Sequence, residues 1–175
     1  MISKKMQISL NAQLVLEAYA SHLYLAMAGW FDLQGLEGCA QFMYRQSDEE
    51  LMHKMRIFNY LLDMNTQAIV PAVAQPPATF KSVPDVFKSA YAHEQKVTKS
   101  INALVELAIQ ENDHATHNFL QWYVNEQREE ETLMRSILDK INLIGDGPQS
   151  LYFIDKEIES VNAQQAKAAE SESEA

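Results

Sequence analysis

Core-type residues recur along the chain at alternating intervals of three and four, in four separate rows. The first row is Leu10, Leu14, Glu17, Ser21, Tyr24, Ala28 and Phe31. The second is Leu36, Cys39, Met43, Gln46, Glu50, His53, Ile57, Tyr60 and Met64. The third is Val83, Phe87, Ala90, Glu94, Val97, Ile101, Leu104 and Ala108. The fourth is Leu120, Tyr123, Gln127, Glu130, Met134, Ile137 and Ile141. Such spacing keeps every member of a row on one helical face, so the rows predict helices turned toward the inside of one bundle. Each row is broken midway by side chains that do not belong in an oily interior: Glu17, Glu50 and His53, Glu94, and Glu130.

The punctuation between rows sets the predicted elements. Helix A runs over about Ser3–Leu33 with Ser3 as its N-cap, and Gln34-Gly35 makes the turn. Helix B follows over about Leu36–Asn65, and helix C starts near Val83 with Pro84 in its first turn and ends near Asn112-Asp113. Helix D covers about Ala115–Leu143 and is stopped by Gly145-Asp146-Gly147-Pro148. SLYFIDKEIESV forms a short fifth helix. Residues 1–161 thus make one all-α domain, and the small, polar, acidic stretch 162–175 is predicted to be disordered.

Short turns make A antiparallel to B, and C antiparallel to D. The segment TQAIVPAVAQPPATFKS between B and C has no helical period. Its 17 residues can reach ~55 Å when extended, more than the ~43 Å of a 29-residue helix. It can therefore travel the whole bundle and set B parallel to C. Helix rise then fixes the height of each acid. Glu17 lies 17 residues before Gln34 and Glu50 lies 16 after it, which is the same level within ~2 Å. Glu94 lies 19 residues before Asp113 and Glu130 lies 17 after it, level within ~3 Å.

A carboxylate inside a core is costly unless it is paired or binds a cation. Buried ion pairs would need Lys or Arg in the rows, and none of the four rows contains either. Carboxylates plus one imidazole suit iron, manganese or zinc, and iron is the redox-active choice. Glu50-x-x-His53 stacks two ligands one turn apart. One metal is assigned to Glu17, Glu50 and His53, and a second to Glu50, Glu94 and Glu130, with Glu50 bridging. Gln127, one turn before Glu130, is placed to orient a water or an oxygen species. Tyr24 shares the face of Glu17 and either bonds a ligand, donates an electron or simply packs. Glu49, Glu126 and Glu129 form a second acidic group, read either as a third metal position or as a solvated acidic face. His22, His93, His114 and His117 fall outside the rows and are read as surface residues, His114 and His117 near a pore.

Composition narrows the partners. The hydrophobic fraction is 47% and the charged fraction 22%, as in a globular protein, and the formal net charge is −10. Phosphate binding needs basic clusters, so nucleic acid is excluded, and cations suit so acidic a surface. No stretch approaches the ~20 apolar residues of a membrane span. The N-terminus lacks an apolar signal core, and the lone Cys39 fits a reducing compartment, so a soluble, cytoplasmic protein is expected.

These residues together resemble the ferritins, specifically the haem-free bacterial type, over nearly the whole chain. The segments carrying the resemblance are NFLQWYVNEQREEE, HEQ at Glu94 and LYFIDKE in the last helix. The resemblance implies a ferritin-like four-helix bundle with a long B–C crossover and a short fifth helix packed at four-fold axes. It implies a hollow homo-oligomeric shell of about twenty-four subunits, following the repertoire of closed symmetric assemblies. In that shell Fe(II) is oxidised by O2 or H2O2 at a di-iron ferroxidase centre and ferric mineral is stored. Glu17, Glu50 and His53 match the first iron site, and Glu50, Glu94 and Glu130 the second. Gln127 and Tyr24 match the accompanying glutamine and tyrosine, and Glu49, Glu126, Glu129 and Glu130 a third iron site.

Some departures bear on the expectation. Haem-binding relatives carry a ligating Met directly after the helix B glutamate; here that residue is Leu51, with Met52 one later, so no haem is expected. Those relatives also have a second Glu-x-x-His on helix D, where this chain reads Gln127-Arg128-Glu129-Glu130. Animal ferritins line the three-fold pore with two acids, and the matching residues here are Asn118 and Gln121. Two readings stay beside storage: another di-iron carboxylate oxidase or peroxidase, and a bundle that buffers metal without oxidising it.

Overall fold

The computed structural model describes residues 2–173, with side chains through residue 168. Its helices are α1 (Lys4–Leu33), α2 (Glu37–Asp63), α3 (Val83–Gln110), α4 (His114–Ile144) and α5 (Ser150–Ser173), and the described residues contain no strand. The caps explain the starts. Ser3 Oγ accepts from Met6 N at 2.9 Å, Ser82 Oγ from Asp85 N at 3.3 Å, and Asp113 Oδ1 from Thr116 N at 3.0 Å. The tight turns after α1 and α3 need a left-handed residue, supplied by Gly35 at φ 71° and Asn112 at φ 54°. α2 has no side-chain cap of its own. Asp155 of α5 does that work from a distance, its Oδ1 accepting from Cys39 N at 2.9 Å.

Contacts along the bundle fix the topology. Phe87 near the start of α3 touches both Phe42 near the start of α2 and Phe31 near the end of α1. Ser3 at the opposite end of α1 donates to Glu111 just after α3. α2 and α3 are therefore parallel, and both run against α1. The connection between them travels the length of α1, with Ile69 N bonded to Asn11 near one end and Phe80 against Trp30 near the other.

Nearly all row residues are buried; Ser21, Tyr60 and Met64 are partly exposed. The apolar core is not continuous. One cluster holds Met6, Leu10, Leu14, Ile57, Leu61, Val97 through Ala108, Leu120 and Tyr123. The other holds Ala20 through Phe31, Leu36 through Met43, Val83 through Ala90, and Met134 through Ile141. Between them lies one polar layer built from the mid-row residues of all four helices.

α5 buries Ile154, Ile158 and Val161 and packs on α2 and α4. It continues to Ser173, so most of the stretch expected to be disordered from residue 162 is helical here. Its Ala, Gln, Lys and Glu are strong helix formers, and Asn162 and Gln165 are bonded by Arg45. The last two residues of that stretch lie outside the described residues. Among the described residues no helix is long and apolar enough to cross a membrane.

Candidate metal centre

Each helix of the bundle sends ionisable groups into the polar layer. Glu17 comes from α1, Glu50 and His53 from α2, Glu94 from α3 and Glu130 from α4. All are at most 6% exposed. Ligand atoms of Glu17, Glu50 and His53 lie within 4.8 Å of one another, the one trio of potential ligands so gathered among the described residues. Glu94 and Glu130 flank this trio without joining it at that distance.

The hydrogen bonds divide the layer into held and unheld atoms. Gln13 Nε2 donates to Glu17 Oε1 at 2.8 Å. Tyr24 donates to Glu94 Oε1, while Gln127 Nε2 donates to Glu94 Oε2 at 3.0 Å and to the Glu94 carbonyl at 3.3 Å. Tyr24 and Gln127 thus meet at one carboxylate. Tyr123 donates to the His53 carbonyl at 2.7 Å, and Trp122 stands edge-on to the His53 ring. Among the buried atoms that find no hydrogen-bond partner are Glu17 Oε2, Glu50 Oε2, His53 Nδ1 and Glu130 Oε2, together with the amide oxygens of Gln13 and Gln46 and with His93 Nε2. His53 Nδ1 is 3.4 Å from Glu50 Oε2, a charge contact that lacks hydrogen-bond geometry. Unpaired buried acceptors are rare in native interiors, and a cluster of them fits a cation.

Electrostatics points the same way. Burial pushes the Glu17 and Glu50 carboxyls well above the usual carboxylate range, Glu50 adding to the effect on Glu17 and Glu94 to that on Glu50. Burial raises Glu94 too, while bonds from Tyr24 and Gln127 oppose it. Glu130 is pushed up to about 8 by burial, then by Glu94 and Glu49. For His53 burial is the largest influence and disfavours the imidazolium. Glu126, Glu17 and Glu130 outweigh it and hold the ring above its ordinary value. Acids that resist ionising alone become ligands when a cation replaces their protons.

The second acidic group lies on one side of the layer. Glu49, Glu126, Glu129 and Glu130 line a cavity of about 140 Å³ together with Arg45 and Gln165. Glu126 Oε1 stands 3.7 Å from His53 Nε2, and Glu129 is exposed beside Arg128. Glu49 is engaged twice, by Arg45 Nη1 at 2.5 Å and by Gln46 Nε2.

Two residues read differently in three dimensions. His93, expected at the surface, is buried against the Tyr19 ring. The buried stripe of α3 is wider than its heptad row, and His93 lies on its flank beside Glu94. Burial, with Lys96 nearby, lowers His93 to about 4, so it stays neutral. Gln13 lies outside the first row and yet is buried beside Glu17; its position one turn before that acid is the sequence signal for the contact.

The raised acids predict how the protein responds to pH without a cation. A carboxyl raised in the folded state binds protons that the unfolded chain has lost. The stability it contributes is complete below about 4.5 and is lost as pH rises through about 8 for Glu130. The raised His53 acts in the same direction. Calorimetry of the chelator-treated protein is expected to show thermal stability falling from pH 5 to pH 9. Glu130→Gln should flatten that fall, and an unchanged slope would contradict the burial of this acid.

Comparisons with known proteins follow the same lines. Residues 8–144 match the family described as Ferritin-like domain. The chain is 42% identical over 164 residues to the bacterial non-heme ferritin of Escherichia coli O6:H1, covering 94% of this chain and 99% of that protein. It is 44% identical over 161 residues to the bacterial non-heme ferritin of Campylobacter jejuni, covering 92% and 96%. Among solved structures, an open pore ferritin from Archaeoglobus fulgidus superposes with a TM-score of 0.88 at 45% identity, covering 91% of this chain and 98% of that one.

Proposed function

The chain belongs to the ferritin family, and on that premise we propose that it stores iron, taking ferrous iron as substrate at the buried acidic layer and oxidising it there. The observation that carries this reading is the convergence of the unpartnered Glu17 Oε2, Glu50 Oε2, His53 Nδ1 and Glu130 Oε2 in one buried layer. Glu17, Glu50 and His53 hold the first ferrous ion; Glu50, Glu94 and Glu130 hold the second, with Glu50 shared. Two adjacent ions matter because each yields one electron, and O2 or H2O2 accepts them in pairs. Tyr24 and Gln127 position Glu94 from both of its oxygens. Protons leave the raised carboxyls as the cations bind. Glu49, Glu126, Glu129 and Glu130 make an outer third position, through which iron passes between the centre and the mineral.

The remaining assignments belong to the same proposal. No haem is bound, because Leu51 takes the place of the ligating Met and the exposed Met52 faces elsewhere on α2. Residues 1–161 are the ferritin-like domain. The subunits close a shell of about twenty-four copies; the exposed Leu151, Tyr152 and Phe153 at the start of α5 support burial against neighbours. With Asn118 and Gln121 in place of acids, the three-fold pore is a poor cation route. An acidic shell with one buried thiol suits the cytoplasm, without membrane or nucleic-acid partners.

Aerobic ferrous titration of the iron-free protein tests the proposal. A fast phase is expected that saturates near two or three irons per chain, followed by slow ferric growth far beyond it. Saturation with no further uptake would mean a di-iron oxidase without storage. Oxidation no faster than in buffer would leave only a metal-binding bundle.

A further inference from the structure

Arg45 sits on α2 one turn before Glu49, where an arginine–glutamate pair is ordinarily a weak surface feature. This one is held on three sides. Nη1 lies 2.5 Å from Glu49 Oε1, Nε donates to Asn162 Oδ1 at 2.6 Å, and Nη2 donates to Gln165 Oε1. The Phe42 ring supports the guanidinium from 5.6 Å. The side chain is only 21% exposed. A planar fork fixed by several acceptors loses little more freedom when it pairs, so its charge stays in place.

That charge stands in the wall of the acidic cavity. Gln46 Nε2 takes the other oxygen of Glu49, so both of its oxygens are engaged. Glu130 lines the same cavity, and its buried Oε2 has no hydrogen-bond partner. A divalent cation arriving here gains Glu130 and Glu126. To gain Glu49 as well it must displace a tethered guanidinium, against like-charge repulsion at close range. Both tethers come from α5, which also lines the cavity at Gln165 and Ala168.

We propose that Arg45, tethered by Asn162 and Gln165 of α5, is a built-in counter-ion that weakens the outer acidic cavity toward divalent cations. This rests on reading that cavity as an outer iron position. Iron there is held loosely and moves on, and α5 sets how loosely.

The experiment is calorimetric titration of the assembled apo-protein with zinc(II), a redox-silent probe. Two tight inner sites and one weaker outer site per chain are expected. Arg45→Gln should tighten the outer site about tenfold, the effect of ~1.4 kcal/mol, and leave the inner pair unchanged. The double variant Asn162→Ala/Gln165→Ala keeps the arginine and frees it, and should tighten the outer site about threefold, in line with the energies of partly exposed pairs. An outer constant unchanged in Arg45→Gln overturns the proposal. Tightening in Arg45→Gln but none in the double variant overturns the role of α5. Absence of the outer site from every isotherm, Arg45→Gln included, with the inner pair still present, would instead remove the reading of the cavity as an outer iron position on which both rest.

Discussion

Glu50→Ala is expected to lower the fast phase of ferrous oxidation by more than ~100-fold, above the ~10–100-fold cost of losing a residue that only supports a ligand. In the proposed assignment Glu50 is the member shared by both cation positions. It belongs to the trio gathered within 4.8 Å, and both Glu94 and Glu130 act on it electrostatically. On that assignment, removing it takes a ligand from both cation positions, whereas His53→Ala takes a ligand from one. The two variants should therefore rank, with Glu50→Ala the slower. Stopped-flow absorbance at fixed iron per chain measures both. Equal rates would deny that Glu50 is shared, and unchanged rates in either variant would sink the ligand assignment. Neither variant should unfold the bundle. Each ligand is a burden on the cation-free core, because a buried acid without a partner costs more than the group it replaces contributes. Circular dichroism should show full helicity.

The layer was legible in the sequence because helices convert spacing into geometry. A three-and-four interval fixes the face, and a rise of ~1.5 Å per residue fixes the height. Residue counts alone thus level Glu17 with Glu50 across the Gly35 turn, and Glu94 with Glu130 across Asn112. The long crossover followed from its reach alone, and the structure carries it from Asn11 to Trp30. What stayed hidden depends on side-chain rotamers and on docking. Nothing in the row of α2 tells that Arg45 points to Asn162, more than a hundred residues later. His93 lies off its row, and only the Tyr19 ring shows that its flank is covered. The helical reach of α5 beyond residue 161 was masked by a composition that serves equally well for a free polar tail and for a helix with something to hold.

Gly38→Ala should detach the start of α5 from α2. A Cβ at this position would lie 2.4 Å from the Asp155 carbonyl oxygen and 2.9 Å from Glu159 Cβ. The first of these is backbone, so no rotamer change relieves it and the helix itself must move. Overpacking of this kind costs ~1–3 kcal/mol. The shift also breaks the bond from Cys39 N to Asp155, which caps the start of α2 and is worth about 1 kcal/mol. Cys39 is the natural reporter. Its thiol is buried, and burial with Asp155 beside it pushes its ionisation well above the usual range, so it should react very slowly in the native protein. Loosening α5 by ~1–3 kcal/mol should speed labelling by a thiol reagent roughly 5- to 150-fold. Asp155→Asn, which keeps the size and an acceptor oxygen, should give a smaller rise. Labelling as slow in Gly38→Ala as in the wild type would mean that α5 is not seated this closely. Because the same helix carries Asn162 and Gln165, displacement at Gly38 should also free Arg45 and tighten zinc at the outer cavity. A glycine some distance from the acids would then alter the centre through one helix.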